Sequence, residues 1–192
     1  MTRHPLFSLA LALTVLAAPA AGAQVSDPPA QTPPATEAGA EAAALLPAGQ
    51  AALPGVITGG QPDAAQLAAL AEAGYRTVVD LRASGEPYAR EEEQAALEAL
   101  GIEYVSIPVA GPEGLTEDNA RALSAVLADE EAYPVAIHCG SGNRVGALLA
   151  LEAAWVDGAP PQEALALGRA AGLTGLEPKV RELLGLAESP PP

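Results

Sequence analysis

A short apolar run that leads into a glycine-containing turn and then into a helical pattern constrains the fold of this chain more than any other feature. The run, Val135 to Ile137, is typical of a buried parallel strand. From Val145 onward, apolar residues recur at helical spacing. The only cysteine, Cys139, therefore falls at the carboxyl end of a strand, where the chain turns into a helix.

The turn that follows Cys139 has the composition of an anion-binding loop. Gly140 and Gly142 let the backbone curl, so that successive N–H groups point inward near the positive end of the next helix dipole. Arg144 adds a fixed positive charge at the end of the loop. This pattern predicts a nucleophilic thiolate beside a bound anion. A small buried cysteine is the alternative, but it would need neither the glycines nor the arginine.

His138 directly precedes the cysteine, and two roles are open for it. Adjacent residues on a strand point to opposite faces, so the His138 ring is not expected to act as a base on Cys139. The ring either supports the loop from behind, by hydrogen bonds that help to hold the thiolate, or is a buried histidine of the core.

Strand and helix patterns alternate over residues 54–187, and this order predicts one α/β domain. We expect three layers, with a central, mostly parallel sheet of about four strands flanked by helices. In such sheets ligands bind at the carboxyl ends of the strands, and Arg82 follows one of these ends as Cys139 follows another. The predicted strands lie near residues 56–58, 75–81, 102–107 and 135–137, and the predicted helices near 63–73, 88–100, 116–127, 145–156, 162–171 and 176–186.

Residues 1–53 and 188–192 differ in composition from this domain. Residues 1–23 have a basic start, an apolar stretch and then Ala21-Gly22-Ala23, which is the pattern of a signal peptide. Residues 24–53 are rich in alanine and proline and predict a disordered spacer, and the proline-rich residues 188–192 predict a flexible tail. We therefore expect a periplasmic or secreted protein with no membrane span after signal cleavage.

Charge and ligand count disfavour several classes of function. The formal net charge is −15, which opposes binding to nucleic acid and to anionic membranes. One cysteine and two histidines, of which His4 falls in the predicted signal peptide, do not suffice for a usual zinc site. We predict no metal and no cofactor, and a small anionic or phosphorylated substrate. The sequence identifies no protein partner.

The loop over residues 138–144 resembles that of the cysteine-dependent protein tyrosine and dual-specificity phosphatase superfamily, and more closely that of the beta-lactamase-hydrolase-like, phosphatase-like domain family. Residues 57–62, 74–82 and 104–109 look like further blocks of that family, in the same order. The resemblance implies that Cys139 is the nucleophile and that Arg144 binds the phosphoryl oxygens, without a metal ion. The other residues singled out for substrate binding are Gly140, Ser141, Gly142, Asn143 and, at the neighbouring strand end, Arg82.

Two departures from the superfamily pattern leave alternatives open. Its tyrosine and dual-specificity phosphatases place five residues between cysteine and arginine, whereas Cys139 and Arg144 are separated by four, as in rhodaneses. The general acid is not obvious either. Glu113 lies on a glycine-containing loop and is the candidate, while Glu117 and Asp118 fit the first turn of a helix.

The sequence thus predicts an exported, metal-independent phosphomonoester hydrolase that works through a thiophosphoryl-enzyme intermediate. A rhodanese-like sulfurtransferase that carries a persulfide on Cys139 is one alternative. A catalytically weak anion-binding module on the same fold is another.

Overall fold

A computed structural model describes residues 35–87 and 89–186. The predicted signal peptide, residues 24–34 of the predicted spacer and the predicted tail lie outside the described residues. The elements are α1 (Ala35–Ala43), β1 (Gln50–Leu53), β2 (Val56–Gly59), α2 (Ala64–Glu72), β3 (Thr77–Asp80), α3 (Arg90–Ala99), β4 (Glu103–Ser106), α4 (Glu117–Leu127), β5 (Val135–His138), α5 (Asn143–Trp155), α6 (Pro161–Ala170) and α7 (Glu177–Leu183), with short 3-10 helices at Gly111–Gly114 and Glu130–Ala132.

The sheet has five strands in the order β1-β2-β5-β3-β4. Strands β2, β5, β3 and β4 are parallel, and β1 is added antiparallel to β2 at one edge. The predicted α/β class with a mostly parallel sheet is confirmed, with one strand more than expected. In the register, His138 lies opposite Gly59 on one side and Asp80 on the other. Three strand ends therefore meet at the carboxyl edge, beside Cys139.

Helices cover both faces of the sheet because neighbouring strand residues alternate between two apolar clusters. Val79 and Ile137 face a large cluster with the helices α4 to α7. Val78 and Ala136 face a smaller cluster with α2 and α3. Strands β2, β3 and β5 are buried along their whole length. Burial on both faces explains why consecutive residues within these strands are apolar, as at Val78 and Val79.

The prediction of a disordered spacer over 24–53 is wrong from residue 35 onward. This part forms α1 and β1, and Leu46 between them is only 3% exposed. Leu46 packs against Gly59 so closely that a Cβ added to this glycine would lie 2.6 Å from the Cβ of Leu46. The tight turn at Gly55, with φ of +71°, folds β1 back onto β2. Small residues suffice here because the existing sheet supplies the apolar surface and the hydrogen-bonding edge.

Close packing of α5 against α6 fixes the helix that carries Arg144. A Cβ on Gly146 would lie 2.2 Å from the backbone nitrogen of Leu173 and 2.4 Å from the carbonyl oxygen of Gly168. Any side chain at Gly146 would therefore displace α5. Across residues 35–87 and 89–186, no helix combines the length and the apolar character needed to cross a bilayer.

Candidate active site

Cys139 lies in a backbone loop between β5 and α5, as predicted. Its sulfur accepts a hydrogen bond of 3.1 Å from the backbone N–H of Gly142, and the residue is 1% exposed. Gly142 caps α5 with φ of +88°, a left-handed conformation that glycine adopts without strain. The sulfur thus lies at the amino end of a 13-residue helix, where partial positive charge stabilises an anion.

The turn after β2 supports one side of this loop. Gly60 forms a bridge with Ser141, and the N–H of Gln61 donates to the carbonyl of Gly140 at 3.4 Å. The N–H of Cys139 donates to the carbonyl of Gly59 at 3.3 Å. Gly140 and Ser141 themselves remain exposed, so their outer side is open to a ligand.

Asn143 supports the other side of the loop. Its side-chain oxygen accepts hydrogen bonds from the N–H groups of Thr174 at 2.8 Å and Leu176 at 3.2 Å. This oxygen therefore joins the loop to the segment between α6 and α7. The side-chain oxygen of Asn143 therefore supports the loop, and its Nδ2 lies on the side of Gly175, 3.7 Å from where a Cβ on that glycine would be.

Arg144 is held by a carboxylate that the sequence pattern did not indicate. Its Nη1 and Nη2 atoms donate to the two oxygens of Glu86 at 2.5 and 2.7 Å, and Nη1 also donates to the carbonyl of Val109 at 3.0 Å. Glu86 lies on the loop after β3, so two different loops fix the guanidinium. The hydrogen bond from Arg144 lowers the pKa of Glu86 against the opposing effect of burial, and the same bond raises the pKa of Arg144.

The free edge of Arg144 faces the cysteine. A guanidinium has five N–H groups, and Glu86 and Val109 take three of them. The Nε–H and one Nη2–H remain, and Cys139 lies near enough to contribute to the raised pKa of Arg144. A Cβ on Gly140 would lie 3.6 Å from Nη2. The thiol of Cys139, the amino end of α5 and two parallel donors of Arg144 therefore lie together in one loop, a combination that suits a tetrahedral oxyanion.

The candidate general acids lie in less constrained positions. Glu113 is exposed on the 3-10 helix that follows Val109, so its loop borders Arg144. Glu117 pairs with Arg121 on the surface of α4, and Asp118 is exposed in the same first turn. Glu86 is ionised at neutral pH because its pKa is lowered, so it has no proton to donate while it is paired with Arg144.

A buried cluster of charged residues lies directly behind the loop. Arg82 donates from Nε and Nη2 to the two oxygens of Asp80, each at 2.8 Å, and its Nη2 also donates to Glu93. Arg82 was predicted at the rim as a substrate-binding residue. It is instead 2% exposed, and its guanidinium bonds to these two carboxylates. The structure therefore places Arg82 within the supporting layer of the site.

His138 belongs to this cluster. Its Nε2 lies 2.8 Å from a carboxylate oxygen of Glu93, and the residue is fully buried. The ring thus lies buried behind the loop against Glu93, and a part in holding the thiolate stays a prediction. Burial raises the pKa of Glu93, but the contact with His138, the hydrogen bond from Gln61 and the charge of Arg82 outweigh this effect, so the net shift is downward.

Asp80 has a similar balance of effects. Burial alone raises its pKa, whereas the hydrogen bonds from Arg82 and Tyr104 and the charge of His138 give a net lowering. Asp80, Glu93 and His138 offer ligand atoms within 4.8 Å of one another, a spacing that a metal ion can use. The guanidinium of Arg82 already bonds to both carboxylates. These side chains therefore hold an internal cation and do not fit a metal centre in this arrangement.

Two glutamates of the site, Glu93 and Glu86, were not identified from the sequence, and the sequence patterns around them differ. Glu93 and the core residue Leu97 are four apart on α3, so helical spacing alone places both on the inward face. Glu86 has no such periodicity, because it lies on a loop between a strand and a helix. Its pairing with Arg144, 58 residues later, depends on the tertiary fold.

Comparison with known proteins assigns this arrangement to a family. The family model described as DSP-PTPase phosphatase fused to NAD+ Kinase matches residues 49–170, more than half of the chain. The Beta-lactamase hydrolase-like protein of Xylella fastidiosa (strain Temecula1) is 35% identical over 117 residues, which cover 59% of this chain and 26% of that protein. Its namesake in Agrobacterium fabrum is 35% identical over 95 residues, 48% and 22% of the two chains. The chain thus spans about a quarter of the length of these curated relatives.

Solved structures share the fold. The DUF442 protein of Shewanella putrefaciens CN-32 aligns with a TM-score of 0.60 at 24% identity, over 73% of this chain and 90% of that one. P. aeruginosa TpbA, in a complex with pTyr, aligns with a TM-score of 0.51 at 22% identity, over 71% and 82%. Both likenesses concern the fold of the chain. On the extent of the family match, this chain belongs to the DSP-PTPase phosphatase family described above.

Proposed function

We propose that this protein is an exported, cysteine-dependent phosphatase that hydrolyses a phosphomonoester without a metal ion. The observation that supports it most is the position of Cys139 at the amino end of α5, in the same loop as Arg144, whose guanidinium Glu86 holds in place. Family membership supports the same chemistry, and the pattern of residues 1–23 supports export to the periplasm or the medium.

The proposed reaction has two displacements at phosphorus. In the first, the Cys139 thiolate attacks, an S–P bond forms, and the P–O bond to the leaving group breaks as that oxygen takes up a proton. In the second, water attacks the same phosphorus, the S–P bond breaks, and phosphate leaves with the thiolate regenerated. Arg144 and the amides of the loop stabilise the equatorial oxygens in both steps, which is why the scheme needs no metal ion.

Proton delivery to the leaving group is assigned to Glu113. Its loop borders Arg144 through Val109, and its exposed position lets it approach a bound ester from the solvent side. A leaving group with a low pKa needs no such proton. Glu113→Gln is therefore expected to slow alkyl phosphates much more than activated aryl phosphates, by about 100-fold against less than about threefold.

The decisive experiment is release of phosphate from an activated aryl phosphate by wild type and by Cys139→Ser. We expect turnover by wild type only, together with a phosphorylated cysteine that is trapped by rapid acid quench and located at residue 139 by mass spectrometry. Ser141→Ala is a matched control because it alters an exposed hydroxyl of the same loop and keeps the backbone amide. No turnover by wild type, with a folded protein and a good leaving group, would contradict the proposal.

Sulfur transfer is the second candidate function, and the four-residue spacing between Cys139 and Arg144 favours it. In that case the thiolate would attack the outer sulfur of thiosulfate and form a persulfide as the S–S bond breaks and sulfite leaves. A mass increase of one sulfur atom on residue 139 after incubation with thiosulfate, without phosphate release from aryl phosphates, is the result expected for this alternative.

A further inference from the structure

The loop over residues 139–144 is the candidate anion cradle. An open groove lies beside this cradle and shares Gly140 with it. The groove runs between α2 and α3 and encloses about 570 Å³. Gly140 directly follows the candidate nucleophile, so the groove adjoins the cysteine loop at this residue. Most of its wall is apolar, formed by Pro47, Pro62, Ala64, Leu67, Ala89 and Ala96.

The charged groups of the groove are mainly acidic. Asp63 and Glu92 are exposed on its rim, and Glu93 is buried at its inner end. Arg82 is the one cationic residue among those that line the groove, and its guanidinium bonds to Asp80 and Glu93. The formal charge of −15 adds a negative field over the whole surface.

The segment predicted as a spacer forms one wall. The carbonyl of Pro47 accepts a hydrogen bond of 2.8 Å from the N–H of Gly60, the residue that bridges to Ser141 of the cradle. A Cβ on Gly60 would lie 3.2 Å from the carbonyl oxygen of Gly140 and 3.4 Å from Pro47. Three chain segments thus meet at this point, and the groove and the cradle are held in a fixed relation.

We propose that this groove binds the leaving group and selects phosphomonoesters whose single phosphate is attached to an apolar, uncharged or cationic body. A ring placed against the apolar wall removes nonpolar surface from water, which favours binding. A second phosphate on that ring would approach Asp63 and Glu92, where like charges repel. The proposal rests on the proposed function, because it takes the cradle as the site of the reacting phosphate.

Three probes of the same size class test the selection: phenyl phosphate, its 4-trimethylammonium derivative and benzene-1,4-diyl bisphosphate. We expect kcat/KM of wild type to be at least about tenfold higher for the first two than for the bisphosphate. Equilibrium binding of the three to Cys139→Ser should follow the same order. Equal or tighter binding of the bisphosphate to that variant would overturn the proposal.

Matched variants locate the effect in the groove. Ala64→Leu places a larger side chain on the groove wall, whereas Ala65→Leu makes the same change at an exposed neighbour outside it. We expect Ala64→Leu to lower kcat/KM for phenyl phosphate by about tenfold, and to weaken binding of phenyl phosphate by the same factor in the Cys139→Ser background. Both quantities should stay unchanged for methyl phosphate, which has no ring to contact the groove. Ala65→Leu should have no effect on either substrate. Equal losses in the two variants, or none, would contradict the groove assignment.

Charge neutralisation provides a second comparison. Glu92→Gln should improve binding of the bisphosphate relative to phenyl phosphate by about two- to threefold at low salt. Glu130→Gln makes the same charge change on the 3-10 helix that precedes β5, near the amino-terminal ends of the parallel strands and away from the groove. It should leave the ratio unchanged. An equal shift in both variants would show that the overall charge, and not the groove, sets the preference.

The failure of this proposal is distinguishable from that of the hydrolase itself. If wild type releases no phosphate from any probe, but Cys139→Ser binds them in the expected order, the hydrolase is wrong and the groove preference stands. If wild type hydrolyses all three and prefers the bisphosphate, the hydrolase stands and the groove preference is wrong.

Discussion

Two arginine–glutamate pairs, one buried and one partly exposed, flank the cysteine loop and differ in what they do. Arg82 and Glu93 are 2% and 5% exposed at the side chain and belong to a cluster with Asp80 and His138. Arg144 and Glu86 are 16% and 27% exposed and face the candidate site. The first pair bonds only within the protein, whereas the second leaves two N–H groups of Arg144 for a ligand.

The difference shows how one kind of ion pair serves either structure or binding according to its depth. Buried charges are costly to leave unpaired, so the cluster behind the loop is expected to be rigid. A partly exposed pair is weaker, because water and salt screen it. The pair with Glu86 therefore orients Arg144 while it leaves the guanidinium partly accessible to a ligand.

Removal of the buried cation is expected to have the largest effect. Arg82→Met leaves Asp80 and Glu93 buried without their guanidinium partner and should lower the free energy of unfolding by about 3–5 kcal/mol. Urea denaturation of wild type and variant measures it. Arg121→Met is the control, because Arg121 pairs with Glu117 on the exposed surface of α4. A loss below about 1 kcal/mol for Arg82→Met would show that the buried cluster is not a structural support.

The next largest effect concerns the arginine that faces the site. Arg144→Lys keeps the charge but loses the planar pair of donors, so kcat/KM for an aryl phosphate should fall by about 100-fold. The free energy of unfolding should change by less than about 1 kcal/mol, because the pair with Glu86 is partly exposed. An unchanged rate would remove Arg144 from the proposed mechanism.

A smaller effect is expected for the residue that orients this arginine. Glu86→Gln keeps one acceptor for Arg144 but removes the charge, and kcat/KM should fall by roughly tenfold. Glu91→Gln is the matched control, since Glu91 lines the same surface cavity as Glu86 and is exposed. An equal decrease in both variants would mean that the loss of a negative charge in this cavity, and not the orientation of Arg144, lowers kcat/KM.

How far the sequence predicts each region follows from the range of the interactions involved. The strand–turn–helix around Cys139 was predictable because periodicity, the glycines and the cysteine all lie within a few consecutive residues. The parallel sheet was predictable because β2, β3 and β5 are buried on both faces and therefore contain consecutive apolar residues. Local patterns of this kind need no knowledge of distant partners.

The missed features depend on contacts between distant segments. Strand β1 is rich in alanine and has weak intrinsic preference for a strand, and it forms because β2 offers a free edge. Arg82 was expected at a rim because the sequence does not show that Glu93 and Asp80 surround it. The role of Glu86 depends on Arg144, which α5 places beside it only in the folded chain.

The smallest expected effect is the acid dependence of the exposed pair. The pKa of Glu86 is lowered from its usual value of 4.5 in the folded protein, chiefly by the hydrogen bond from Arg144, so the folded state binds fewer protons than the unfolded state in that range. The stability that the pair contributes is therefore present above pH 4.5 and is lost as the pH falls through the folded-state pKa. Glu86→Gln should be less stable than wild type by less than about 1 kcal/mol at pH 7, and the difference should shrink on acidification.

The acid dependence of Glu86 has to be separated from that of the buried carboxylates. Asp80 and Glu93 also have lowered pKa values, so wild type and Glu86→Gln should both lose stability in acid through the cluster, and only their difference reports on Glu86. Salt should reduce that difference, because Glu86 and Arg144 are within reach of the solvent, and should leave the contribution of the buried cluster largely unchanged. A difference between wild type and Glu86→Gln that stayed constant from pH 7 to well below 4.5 would mean that Glu86 stabilises the fold through packing and not through its charge on Arg144.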